Sequence, residues 1–294
     1  LTGRIIVAGS VNTDLVVFAD RAPGPGETLA GRDFATLPGG KGANQAVAAA
    51  YCGGDVAMAG RVGMDGFGEA ARASLTEAGV DIAHLHPTAD APSGIASIVV
   101  EAGGENRILV VPGANGRVTP DDLPDLAHAA LLVLQLEIPI ETVHIAIERA
   151  VAEGVACLLN PAPAAPLDLA RLRGLAYLVP NRGELAQLTN RPVGRFDEVV
   201  AAARRLVRHG IGAVIVTLGA DGAVMVTEHR VAHVEAPGVT PLDTTGAGDA
   251  FIGCFAATLV RTGDADQALA TAVRYAADTV TRRGAQASYH RLSA

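Results

Sequence analysis

Short apolar runs alternate with longer stretches of helical periodicity over most of this sequence, and that rhythm admits few folds. Runs at 5–8, 56–59, 130–135, 155–159, 177–179 and 213–218 read as buried strands. Between them 44–52, 66–78, 140–153 and 197–209 have helical spacing, with Gly53, Gly79, Gly154 and Gly210 placed to end the helices. Units of this kind pack as a mostly parallel sheet with helices on both faces. At 294 residues the chain suits one large α/β unit with an appendage. Only 3% of residues are aromatic and 49% are hydrophobic, so the core must be built from Ala, Val, Leu and Ile, as such a sheet allows.

Two regions break the rhythm. Segments 15–18 and 28–36, joined across a Pro/Gly-rich turn at 21–27, read as one antiparallel excursion, and 94–100 with 108–111 as another. Together they form a small sheet outside the main one, a lid built from about 14–36 and 94–111. No internal repeat or low-complexity linker divides the chain, so we expect a single domain over 1–294 with an inserted lid.

The 23 basic and 31 acidic residues give a net charge of −8, which repels polyphosphate backbones and acidic membranes and excludes nucleic acid as the main partner. Lys41 is the only lysine, and it lies in a glycine-rich stretch. Cys52, Cys157 and Cys254 are widely spaced in apolar surroundings, which suits buried free thiols in a reducing compartment. Neither a leader pattern nor an apolar run of membrane-spanning length is present, so a cytoplasmic location is expected.

Open parallel sheets bind ligands beyond the carboxyl ends of their strands. Polar residues stand at those positions: Asn12 and Asp14 after 5–8, then Gln135, Glu137, Asn160, Asn181, Thr217 and Gly219 after the later runs. Singly each is also an ordinary turn former; repeated on one edge, they make a polar rim.

The sequence from Asp243 to Asp249, Asp-Thr-Thr-Gly-Ala-Gly-Asp, leads into an amphipathic helical pattern at 250–260. A glycine loop opening a helix presents unpaired N–H groups and the positive end of the helix dipole, which attract an anion. Asp249 has two readings there. It is either a helix cap, or a general base that takes a proton from an attacking hydroxyl while the amides of Gly246, Ala247 and Gly248 hold a phosphoryl group. Asp243 is available as the cap instead.

A second glycine loop, Gly-Gly-Lys-Gly-Ala-Asn-Gln at 39–45, also leads into a helix. It is not a Walker A loop, because Gly42 stands where Ser or Thr is needed and Ala35 where the first glycine belongs. Lys41 and Asn44 suit hydrogen bonds to a polyhydroxylated ligand, and Gly39 and Gly40 suit a hinge. The glycines at 60–68 and 219–222 lack the acid of a dinucleotide fingerprint, so oxidoreductase chemistry is a weak alternative.

Taken in order, GSVNTD at 9–14, GGKGANQ at 39–45 and DTTGAGD at 243–249 resemble the PfkB family of sugar kinases. Within it, QLE at 135–137, NPAPA at 160–164 and VTRRGAQAS at 280–288 resemble the ribokinase group, and the likeness runs from Ile5 to Ser288. It implies a ribokinase-like three-layer α/β fold with a β-sheet lid, and transfer of the γ-phosphoryl of ATP to the 5-hydroxyl of D-ribose. Position by position, it implies that Asn12, Asp14, Gly40, Lys41, Asn44 and Glu137 hold the sugar, with Asp249 as the base that also touches it. Gly246, Ala247 and Gly248 match the anion hole. Asn181, Thr217, Gly219, Gly222 and Gly248 match nucleotide-binding positions, and Glu184 matches a magnesium position reached through water.

The same resemblance implies Mg2+ with ATP, and K+ as an activating cation held by Asp243, Thr245, Thr279, Arg282, Gly284 and Ser288, mostly through backbone carbonyls. Where relatives place Asn or His against adenine, this chain has Ala272 and Val273, so apolar contact with the base is expected. A homodimer through the lid is also implied. The rival readings are a kinase of the same fold acting on fructose, a deoxy sugar or a nucleoside, and a sugar-binding regulator without catalysis. A complete anion loop beside Asp249 argues against the regulator, because binding alone needs no base.

Overall fold

A computed structural model describes residues 3–292. The first half runs β1 (Arg4–Ala8), β2 (Asn12–Phe18), β3 (Asp33–Gly39), α1 (Lys41–Tyr51), β4 (Val56–Gly63), α2 (Gly66–Ala78), β5 (Asp81–Thr88), β6 (Gly94–Val100), β7 (Asn106–Val111) and β8 (Ala129–Leu134). It continues with α3 (Ile140–Ala152), β9 (Ala156–Leu159), β10 (Tyr177–Leu178), α4 (Arg182–Thr189), α5 (Phe196–Arg208), β11 (Ala213–Thr217), β12 (Ala223–Val226), β13 (Val231–Val234), α6 (Ala247–Thr262) and α7 (Ala265–Thr279).

Among the described residues the main sheet has nine strands in the order β13-β12-β11-β10-β9-β8-β1-β4-β5. It is parallel from β11 to β5, and only the β11–β12 and β12–β13 pairs are antiparallel. Successive side chains of a strand point to opposite faces, and the core divides accordingly. Ile5, Val7, Leu131, Val133 and Leu158 face α1, α6 and α7. Ile6, Ala8, Leu132, Leu134 and Leu159 face α3 and α5. The three-layer expectation holds, and the few aromatics concentrate on one face, where Phe251 stacks on Phe255 and Tyr177 meets Phe255 edge-on.

A second sheet, β3-β2-β6-β7, stands apart from the first. Its outer pairs are antiparallel and β2 runs parallel to β6. The expected lid is thus present as a sheet, although it begins at Asn12 rather than near 14, and residues 28–32 carry no regular structure. Edge strand β7 is exposed along its whole length, including Ile108, Leu109, Val110 and Val111.

Three departures have physical reasons. The helix expected to be amphipathic, α6, is buried at every residue from Asp249 to Val260, because it packs between α1 and α7 over the sheet. Strand β5 gave no alternating signal, since His84, His86 and Pro87 interrupt it; it forms at the sheet edge by pairing with β4. Helix α4 is short, and its start is fixed by reciprocal hydrogen bonds between Asn181 and Glu184.

Candidate active site

The carboxyl ends of β1, β8, β9, β10 and β11 share one edge of the main sheet, and Gln135, Asn160, Asn181 and Thr217 lie along it as expected. Asn12 and Asp14 do not sit in a loop after β1. Both belong to β2 of the second sheet, where Asn12 pairs with Gly39 and Gly94, and Asp14 with Leu37 and Ala96. The lid therefore delivers two of the sugar candidates itself. Asn12 Oδ1 accepts from Asn115 Nδ2 at 2.7 Å, and Asn115 is clamped to both backbone groups of Val11.

Asp249 occupies the first turn of α6 and is 7% exposed. Asn44 Nδ2 donates to its Oδ2 at 3.0 Å and Gln45 Nε2 to its Oδ1 at 2.8 Å. It does not cap its helix: Gly246 holds the cap position and no side chain bonds there. Behind it, Gln135 Nε2 donates to Gln45 Oε1 and Gln286 Nε2 to Asn44 Oδ1. Burial pushes the Asp249 carboxyl up, Glu137 adds to this, and Lys41 with the two amide donors opposes it.

Lys41 stands among carboxylates. Burial alone would lower its ammonium, but the charges of Asp249, Glu137, Glu184 and Asp14 outweigh that and leave it raised. Asp14 is pushed up to about 6, first by burial and then by Glu137 and Asp249. Burial likewise raises Glu184, against the Asn181 N–H and Lys41. Glu137 Oε2 accepts from Ser10 Oγ at 2.5 Å and from the Lys41 N–H at 3.0 Å, so it fixes the glycine loop as well as facing the site. Gly40 has a φ of 87°, and a Cβ there would lie 2.6 Å from the Asn12 nitrogen; the lid strand and the loop approach this closely only because position 40 lacks a side chain.

Gly246 has a φ of 75°, and Tyr289 Oη donates to its carbonyl at 2.9 Å. Of the three amides expected in the anion hole, that of Ala247 bonds to the Thr244 carbonyl at 3.3 Å, whereas those of Gly246 and Gly248 have no acceptor among the described residues. Gly248 opens onto free space. A cavity of about 220 Å³ brings Lys41, Asn160, Asn181, Glu184, Thr217, Gly246, Gly248 and Asp249 together. Asn181 and Thr217 are bridged, and Gly219 and Gly222 form the tight turn where Leu218 N–H meets the Gly222 carbonyl.

The residues matched to potassium also converge. Asp243 accepts from the N–H groups of Thr245 at 2.9 Å and Gly284 at 2.8 Å, and these bonds with the charge of Arg283 hold its carboxyl low against the effect of burial. Arg282 Nε donates to the Ser288 carbonyl at 3.0 Å, while Thr279 and Ser288 are buried.

Ala272 and Val273 do not line this cavity. Both are buried in the core on α7, packed with the face that holds α1 and α6, so the expected apolar contact with a base is not available there. The three cysteines are free and buried as expected, but Cys52 and Cys254 are not isolated, because both belong to the core cluster between α1 and α6. The partners of the site that the sequence reading left without a role are Ser10, Gln45, Asn115, Gln286 and Tyr289, together with Gln135 and Asn160, which it placed only on the rim. Gln45 and Gln286 lie inside quoted motifs, whereas nothing local marks Asn115 or Tyr289.

Residues 2–291 match the model of the pfkB family carbohydrate kinases. The chain is 43% identical to the deoxyribokinase of Salmonella typhi over 97% of its own length and 95% of that protein, and 41% identical to the ribokinase of Schizosaccharomyces pombe over 97% and 94%. Among solved structures it is similar to the Thermotoga maritima ribokinase, with a TM-score of 0.90 at 34% identity over 98% of this chain and 96% of that one. The Arabidopsis thaliana ribokinase complexed with ribose and ATP gives a TM-score of 0.91 at 30% identity, over 99% and 96%. The chain belongs to the pfkB family of carbohydrate kinases, with a ribokinase-like fold, and is an ATP-dependent sugar phosphotransferase.

Proposed function

We propose that this kinase phosphorylates D-ribose at its 5-hydroxyl, giving ribose 5-phosphate and ADP. The observation that carries the reading is Asp249 itself: a buried carboxylate, each oxygen held by an amide donor, set beside the open Gly248 amide. In this reading it takes the proton of the attacking hydroxyl while the Gly246 and Gly248 amides stabilise charge on the moving phosphoryl group. Asn12, Asp14, Gly40, Lys41, Asn44 and Glu137 orient the sugar, and the lid closes over it on the Gly39–Gly40 hinge to exclude water.

Ribose is favoured over 2-deoxyribose because the sugar side is built from hydrogen-bonding and charged groups, with Asn12 and Asn44 buried. A sugar lacking a hydroxyl would leave such groups unpaired, which is the strongest form of discrimination a site can make. The similarity to a deoxyribokinase keeps deoxyribose as the second reading. An ADP-release assay over ribose, 2-deoxyribose, fructose and nucleosides tests both. The highest kcat/KM is expected for ribose; an equal or higher value for deoxyribose overturns the choice.

Magnesium, when bound with ATP, neutralises phosphate charge during transfer. Glu184 fits a contact through water, since it is a nearly buried carboxylate beside Asn181 on the cavity wall. The hard oxygens of Asp243, Thr245, Thr279, Arg282, Gly284 and Ser288 suit a monovalent cation such as K+, which would stiffen the loop carrying Gly246. We place the enzyme in the cytoplasm as a single domain over 1–294, in keeping with its free thiols. We also assign a homodimer through the lid, whose strand β7 exposes a row of apolar residues.

A further inference from the structure

We propose that Asn160 is a positioning residue for the base: it fixes which end of the Gln45 amide faces Asp249 and thereby keeps the carboxylate an acceptor. The inference rests on the reading of Asp249 as the base.

Val179 O can only accept, and Asn160 Nδ2 donates to it at 3.0 Å. That leaves Asn160 Oδ1 turned the other way, where it accepts from Gln45 Nε2 at 3.2 Å. Gln45 must then present its NH2 end on this side, and the same nitrogen donates to Asp249 Oδ1 at 2.8 Å. Its carbonyl end accepts from Gln135 Nε2 at 2.7 Å, and the series stops at Gln135 Oε1, which has no partner among the described residues. The direction of every amide is therefore set from the Val179 end.

Reversal of Gln45 would place its oxygen against Asp249 Oδ1 and Asn160 Oδ1 together. Gln45 is 0% exposed, so its reversed oxygen would face two acceptors with no donor in reach, and the base would be driven to hold a proton instead. The other donor to Asp249 has no such anchor. Asn44 is oriented only by the side chain of Gln286, which has no backbone partner among the described residues to fix its own direction.

The charged and titratable groups facing Asp249 are Lys41 from α1, Asp14 from β2, Glu137 from the loop after β8, Glu184 from α4 and Tyr289 from the C-terminal segment. None of them is a hydrogen-bond partner of the Asn160 or Gln45 side chains. A change at Asn160 therefore reads out through the amide rather than through an altered charge.

The test is the pH dependence of kcat with ribose and ATP. Asn160→Leu keeps the size of the side chain and removes its direction. The acid limb of the profile is expected to move up by about one unit, a loss of about tenfold on the acid side that shrinks as pH rises. A uniform fall at all pH values, or an unmoved limb, overturns the proposal. Gln45→Met, which removes the donor itself, gives a second route should Asn160→Leu fail to fold; its limb must rise at least as far, and an unmoved limb again overturns the proposal. Asp249→Asn separates the two readings. Retained turnover in that variant defeats the base assignment, whereas an inactive Asp249→Asn beside an unmoved limb defeats only the role of Asn160.

Discussion

Gly253 of α6 rests directly on Ala49 of α1: a Cβ on the glycine would fall 2.6 Å from the Ala49 nitrogen, with the Gln45 carbonyl oxygen also 2.6 Å away. Both contacts are backbone, so no rotamer relieves them and the helices must separate. One turn earlier on α6 is Asp249, and on α1 stand its donors Asn44 and Gln45. Gly253→Ala gains about 1 kcal/mol of helix preference and loses about 1–3 kcal/mol to overpacking. The expected result is a lower denaturation midpoint and a kcat reduced about tenfold. A variant more stable than the parent and equally active would refute this account of the helix crossing.

Asp14 sets a cost on the empty site. Its pKa is pushed up from 3.8 to about 6, so between those values the folded protein keeps a proton that the unfolded chain has lost. Stability on this group's account is therefore greatest below about pH 4 and falls as pH rises to 6, by up to about 3 kcal/mol. Asp14→Asn should raise the melting midpoint of the ligand-free enzyme at pH 7, give no gain at pH 4, and raise the ribose KM about tenfold or more. Melting curves of both proteins at the two pH values decide it, and equal midpoints at pH 7 would contradict the claim.

Tyr289 bears on turnover more than on affinity. Gly246 O also accepts from the Ala250 N–H, so Tyr289→Phe leaves that carbonyl a partner and costs about 1 kcal/mol of stability. The loop carrying the open Gly248 amide loses one tether. Steady-state kinetics should show kcat lowered several-fold with ribose KM unchanged; a changed KM beside an intact kcat would place Tyr289 on the sugar instead.

What the sequence made legible is what local backbone geometry enforces. Gly40 and Gly246 need positive φ where they stand, so their loops are marked by composition; Lys41 follows the first directly and Asp249 comes three residues after the second. The repeated strand and helix pattern made the sheet legible, because successive residues such as Ile5 and Ile6 must both find apolar cover on opposite faces. The amide series behind Asp249 was not legible. Gln135 lies 90 residues from Gln45 and Asn160 lies 115 from it, so only the folded sheet brings them into line. Ala272 and Val273 misled for a similar reason: which face of α7 points inward depends on α6, not on the local motif.

The lid carries a prediction about assembly. Leu109 is 74% exposed beside Ile108, Val110 and Val111 on an edge strand. Light scattering should find the parent a dimer and Leu109→Arg shifted to monomer, with its secondary structure retained. A monomeric parent would remove the lid interface from the account.

The central claim is that Asp249 is the proton acceptor in phosphoryl transfer to the sugar. Turnover of Asp249→Asn with ribose and ATP, measured beside calorimetric ribose binding, tests it most directly. The expected result is a kcat lower by about 10²–10⁴ with a ribose Kd within a few-fold of the parent; a kcat within tenfold of the parent would contradict this role for Asp249.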